Sequence, residues 1–278
     1  MTRATLADVL PTCLRDGTAV VGFVVLGWED ARAYVTAAEA EGRPIILQAG
    51  PGCRAHTPLP VMAAMFHHLA ETASVQIVTH LDHGADLSEC QQAIDAGFSS
   101  VMYDGSALTL AENIARTAEI TAIAHRAGVS VEAELGVVGY HGGAQSVGTD
   151  PVDAARFLRE TGVDALAISV GNLHLMTTAQ TAIDLPRLQQ IGALCPNLPL
   201  VLHGGSGIAP QQRRTLAQQT NVCKFNIGTE LRMAFGAALR AGLAANPDRF
   251  DRIQILSETV LPLTVLARRI IADVSVQT

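Results

Sequence analysis

Short apolar runs rich in β-branched residues alternate with longer stretches of helical spacing along almost the whole chain. Eight runs read as strands: AVVGFVVL from Ala19, PIILQAG from Pro44, VQIVTHLDHG from Val75 and SSVMYDG from Ser99, then SVEAELG from Ser130, ALAISVG from Ala165, PLVLHGG from Pro199 and VCKFNIG from Val222. Between them the spacing predicts helices, most clearly over 29–41, 60–72, 110–126 and 150–160. Regular strand–helix alternation is the mark of parallel βα units. Strands that are apolar nearly throughout are covered on both faces. Eight units without a break predict one (β/α)8 TIM barrel over 1–278. The segment from about 246 has no ninth strand and reads as terminal helices packed on the barrel or on a partner subunit.

Composition narrows the function classes. The 278 residues suit an α/β barrel, which typically has about 250. Hydrophobic residues make up 49% and charged ones 16%, enough for a large core. A net charge of −7 argues against a general nucleic-acid surface or an acidic membrane surface as partner. No apolar run is long enough to span a bilayer, and Asp8, Arg15 and Asp16 interrupt any signal-like stretch at the N-terminus. The five cysteines are scattered and odd in number, as expected of reduced thiols in a cytoplasmic protein. Lys224 is the only lysine.

The polar residues collect at strand ends. Asp82 and His83 end the third strand, Asp104 the fourth and Glu134 the fifth; His174 follows the sixth, His203 ends the seventh, and Asn226 and Thr229 close the eighth. In a (β/α)8 barrel those ends meet on one rim, where active sites are built. A single polar rim residue is usually there to satisfy loop backbone, but six strands delivering such groups together point to a site. His83, His174 and His203 suit an open zinc centre, because three imidazoles with a vacant fourth position are a catalytic arrangement. His56, His67, His68, His80 and His125 have no such context and read as surface or packed histidines. The turn HGGSG at 203–207 and NIGT at 226–229 offer backbone N–H groups to an anion, after the strands where barrels often hold phosphate.

At these residues the sequence resembles the class II, metal-dependent aldolases of ketose bisphosphates, particularly the tagatose-bisphosphate and short fructose-bisphosphate type. The matching stretches are HLDHG from His80, AGFSSVMYDGS from Ala96, SVEAELG from Ser130, PLVLHGGSG from Pro199 and CKFNIGTEL from Cys223. The resemblance implies a lyase of carbohydrate metabolism, such as glycolysis, working as a homodimer or homotetramer on a phosphorylated sugar. It implies Zn2+ on His83, His174 and His203, with Asp104 and Glu134 at an alternative or second metal site. By the same resemblance Asp82 is the catalytic acid/base. Gly204, Gly205, Ser206, Asn226, Gly228 and Thr229 hold the phosphate end of dihydroxyacetone phosphate.

Several positions depart from that pattern. Leu175 stands where a glycine usually follows the second zinc histidine, and Val24 where the first strand usually carries asparagine. The loop over 139–146 reads GYHGGAQS and lacks the family's carboxylate, leaving Tyr140 and His141 as its ionisable groups. His141 could take over the proton transfer, since histidine titrates near neutrality, or be an idle solvated residue. Arg54 could meet a second anionic group or point into solvent. Two other functions stay open: a Schiff-base aldolase, which would need Lys224, and a zinc-binding barrel without catalysis.

Overall fold

In a computed structural model, residues 2–140, 143, 145–179 and 181–275 are described. After the two-residue β1 (Arg3–Ala4) come the eight barrel strands: β2 (Val20–Val24), β3 (Ile45–Ala49), β4 (Ile77–Gly84), β5 (Ser100–Tyr103), β6 (Ser130–Leu135), β7 (Ala165–Ile168), β8 (Leu200–Leu202) and β9 (Val222–Ile227). They pair in the order β4-β3-β2-β9-β8-β7-β6-β5, and β5 returns to β4, so the parallel sheet closes. All eight predicted strands are present. The four clearest helices are Trp28–Glu41, Leu59–Thr72, Leu110–Arg126 and Pro151–Thr161, within a residue of their expected bounds.

One element was not legible as part of the barrel, and the terminal helices expected from about 246 do pack on it. Helix Leu6–Asp16 starts with a capping box in which Thr5 accepts from the Asp8 N–H and Asp8 accepts from the Thr5 N–H. Its apolar face, with Leu6, Val9, Leu10 and Cys13, packs on Val20, Ile46, Val78, Ala165 and Val201 and plugs the lower end of the barrel. At the C-terminus, Thr229–Ala245 buries only Leu231, whereas Val260–Val274 buries Leu263, Ala267, Ile270 and Ile271. The later helix packs beside Trp28–Glu41 and Pro210–Gln219 and completes the outer ring.

One irregularity bears on the site. From Leu81 to Gly84 β4 takes three steps where β5 takes two, from Val101 to Tyr103, so β4 bulges at Asp82 and His83. Strand alternation points Val78, His80 and Asp82 inward and would send His83 outward. The bulge, with His83 in the left-handed region at φ 53°, returns that ring to the rim.

Candidate functional site

The three rim histidines converge although they come from β4, the loop after β7 and the end of β8. Ring centroids lie 4.6 Å apart for His83 and His203, 5.4 Å for His83 and His174, and 5.6 Å for His174 and His203. One ligand atom of each falls within 4.8 Å of the others, and His83, Asp104 and Glu134 form a second such group. Both sets could hold a metal.

Glu134 Oε2 lies 3.3 Å from His203 Nδ1 and 3.8 Å from His83 Nδ1. Neither Glu134 Oε2 nor His203 Nδ1 has a hydrogen-bond partner, although both are buried. Buried polar atoms left unpaired are costly, and two aimed at the same space suit a cation that would pair with both. The other Glu134 oxygen accepts from the Val138 N–H.

The electrostatics fit. Burial and the neighbouring His203 and His83 push His174 down to about 3, which keeps a lone pair free for a ligand bond. Burial works against charge on His203, yet the hydrogen bond to Glu132 and the carboxylate of Glu134 push it up to about 10. That ring sits in a field built for positive charge. Burial also opposes ionisation of Asp82, but His83, His203 and Lys224 outweigh it and hold the carboxyl below its usual range. Asn226 Nδ2 donates to Asp82 Oδ1 at 3.2 Å, which orients the carboxylate beside the histidines.

The model of the family described as fructose-bisphosphate aldolase class-II matches residues 4–275. The chain belongs to that family. Among solved structures, the YdjI aldolase of Escherichia coli K12 is 28% identical, with a TM-score of 0.84 over 98% of this chain and 97% of its own. A putative fructose-1,6-biphosphate aldolase of Coccidioides immitis shares the fold at 24% identity and TM-score 0.83, covering 95% of this chain and 94% of that one. Fructose-bisphosphate aldolase of Campylobacter jejuni does so at 21% and 0.82, covering 98% and 95%.

In this class II aldolase family member the two glycine-rich turns sit side by side above β8 and β9. Gly204 has φ 66°, and a Cβ there would lie 2.0 Å from the Leu173 carbonyl oxygen, so only glycine fits. Gly228 begins helix Thr229–Ala245 with no side-chain cap, leaving the first N–H groups of that helix to other partners. The Glu230 N–H reaches Ser206 Oγ at 3.3 Å and ties one turn to the other. Gly204, Ser206, Asn226, Gly228 and Thr229 all line one cavity of about 570 Å³ with Asp82, His83, Asp104 and His174; Gly205 packs beneath it against Asn226 and Ile227.

Supporting residues were not visible in the sequence. Arg213, buried in helix Pro210–Gln219, donates to the Gly205 carbonyl at 3.0 Å and pairs with Glu230 at 2.5 Å, bracing both turns. Arg54 does not point into solvent and is not among the residues lining the cavity. It donates to the carbonyls of Ala49, Asp82 and His83 and pairs with Glu89 at 2.8 Å, which holds the β4 bulge. His80 is a packed histidine, as expected, but lies inside the barrel between Lys224 and Ser100. Lys224 faces inward as strand parity predicts. It is fully buried and pairs with Glu132 at 2.6 Å. Only an alternation count that placed Glu132, Glu134, Lys224 and Asn226 on the same inner face could have found this group.

The departures have definite shapes. Leu175 is half exposed on the rim and takes the left-handed conformation at φ 58° that glycine usually occupies. Tyr140 stacks on His174 with ring centroids 4.9 Å apart and lines the cavity. His141 lies outside the described residues. Among the described residues all five cysteines are free and buried, and no helix is long and apolar enough to cross a membrane.

Proposed function

We propose that this chain is a zinc-dependent aldolase that reversibly cleaves a ketose phosphate, of the fructose- or tagatose-bisphosphate kind, to dihydroxyacetone phosphate and an aldehyde. The observation that carries the reading is the pair of buried, unpartnered atoms, Glu134 Oε2 and His203 Nδ1, facing His83 and His174 beside the ionised Asp82. Zn2+ held by the three histidines would supply Lewis-acid polarisation of the ketone carbonyl. Asp104 and Glu134 would serve an alternative position of the metal.

Asp82, aligned by Asn226, would take the proton of the C4 hydroxyl as the C3–C4 bond breaks. The N–H groups and hydroxyls of Gly204, Gly205, Ser206, Gly228 and Thr229 would anchor the donor's phosphate, fixing the distance from that anion to Asp82. His141, adjacent in sequence to Tyr140 on the cavity wall, would return a proton to carbon in the role of the missing loop carboxylate. Arg232, on the helix that starts at Thr229, is the sole lysine or arginine among the described residues lining the cavity. Across the mouth, after β4 and β5, the lining is Ala85, Asp104, Ser106 and Ala107, with no lysine or arginine. That charge distribution supports a phosphate at the donor end, beside Arg232.

The test combines metal and substrate. A chelator should abolish aldol turnover and Zn2+ should restore it. Borohydride with substrate should leave Lys224 unlabelled, since its ammonium is committed to Glu132. A panel of aldehydes, each offered with dihydroxyacetone phosphate and with free dihydroxyacetone, should show strong preference for the phosphorylated donor. Chelator-resistant turnover, or a stable adduct on Lys224, overturns the reading.

A further inference from the structure

Beneath the rim histidines lies a second polar group that the proposed chemistry does not use. Lys224 and Glu132, both fully buried, form an ion pair of 2.6 Å between Nζ and Oε2 in the middle of the barrel. The other carboxylate oxygen, Oε1, lies 3.1 Å from His203 Nε2. Lys224 Nζ also lies 3.3 Å from His80 Nε2, and His80 Nδ1 lies 2.8 Å from Ser100 Oγ. We propose that Glu132, held in place by Lys224 and His80, is a positioning residue that fixes His203 as an Nδ1 metal ligand.

The argument is a donor and acceptor count. An ammonium only donates, so His80 Nε2 must accept from Lys224, and the His80 proton then sits on Nδ1, facing Ser100. An ionised carboxylate only accepts. Lys224 occupies one oxygen of Glu132 and holds the group ionised, so the contact with His203 requires the proton on its Nε2. A metal can bind only the neutral ring, displacing the proton that the surrounding carboxylates otherwise hold on Nδ1. The Nδ1 lone pair is then directed at the space shared with His83, His174 and Glu134, where Nδ1 has no hydrogen-bond partner. Lys224 is then a counter-ion, sealed beneath the site and unavailable as a nucleophile. Stability alone gives a weak reason for this pair, since buried ion pairs are often no better than apolar residues of similar volume. A ligand histidine whose second nitrogen donates to a carboxylate gains orientation, one tautomer and basicity. The inference rests on the reading that His203 binds metal.

The experiment separates metal affinity from folding. In Glu132→Leu/Lys224→Met both charges leave together and the volume is refilled. In Glu132→Gln/Lys224→Met an amide oxygen remains to accept from His203 Nε2–H. Zinc affinity is measured by chelator competition, and melting temperature on protein stripped of metal. The Leu/Met protein should melt close to the wild type yet bind zinc about 10–100-fold more weakly, the usual loss when such a partner is removed. The Gln/Met protein should recover most of that affinity. Nitrogen NMR on histidine-labelled, zinc-loaded wild type, which needs no variant to fold, should place the His203 proton on Nε2 and the metal on Nδ1. Coordination through Nε2 overturns the proposal, as does a Leu/Met variant that binds zinc like the wild type. A loss of affinity that tracks the melting temperature and is not rescued by Gln also overturns it. Wild type that binds no zinc, or His203→Ala that binds it normally, removes the functional reading and this inference together. Zinc binding that needs His203 but ignores Glu132 removes the inference alone.

Discussion

At the lower end of the barrel, Val20, Ile46, Val78, Ala165 and Val201 meet Leu6, Val9 and Leu10 of the N-terminal helix in a dry apolar plug. At the upper end, the strands that carry Val78 and Ala165, with β6 and the residues just past β8, present Asp82, Glu134, His174 and His203, with two buried polar atoms left unpaired. Between the two sits the Lys224–Glu132 pair, fully enclosed. The difference shows how one set of strands serves two tasks. The lower half contributes stability through burial; the upper half keeps charged groups out of water, around side chains that could hold a metal.

The sharpest way to break that division is to damage each end alone. Leu10→Ala opens the plug at a fully buried position and should cost about 2–5 kcal/mol of unfolding free energy, while zinc binding and kcat stay near wild type. Denaturant titration checks the first part and turnover the second. A variant that lost zinc in proportion to its stability would show that the two ends are not independent.

Asp82→Ala attacks the upper end without touching the plug. It should keep zinc, keep its melting temperature and lose at least ~100-fold in kcat, the lower range for general acid–base catalysis. Metal analysis beside steady-state kinetics reads both; near-normal turnover would remove Asp82 from the proton transfer.

Leu175 tests whether the rim carries strain that the lower end does not. A left-handed non-glycine residue costs on the order of 1–2 kcal/mol, and Leu175 is half exposed, so little burial is lost on truncation. Leu175→Gly is therefore expected to gain up to about 1 kcal/mol, reduced by the greater freedom of glycine in the unfolded chain, and to lower KM for the phosphorylated donor. A fall in melting temperature would mean that the leucine makes packing contacts worth more than its strain.

The smallest effect is expected at His141. His141→Ala should slow exchange of the donor's carbon-bound proton more than it raises KM, by less than the Asp82 variant slows turnover. Unchanged exchange would assign His141 no part in proton return and leave Tyr140, stacked on His174, as the loop residue to test next.

The alternation of apolar runs and helical spacing determined the barrel, because a strand covered on both faces and a helix with one buried stripe leave different periods in the sequence. The rim residues were legible for the same reason: in a parallel barrel every strand ends on one face, so position along a strand is position in space. Tertiary structure decided what periodicity could not carry. His83 is one step out of phase with Asp82, and only the β4 bulge, braced by Arg54, brings both to the same site. Helix Leu6–Asp16 has an ordinary amphipathic pattern, and nothing local says that its apolar face closes the barrel floor. The partners of Lys224, Glu132 and His80, are 92 and 144 residues away along the chain. Closure of the sheet sets those contacts, and a contact made by closure leaves no local period in the chain.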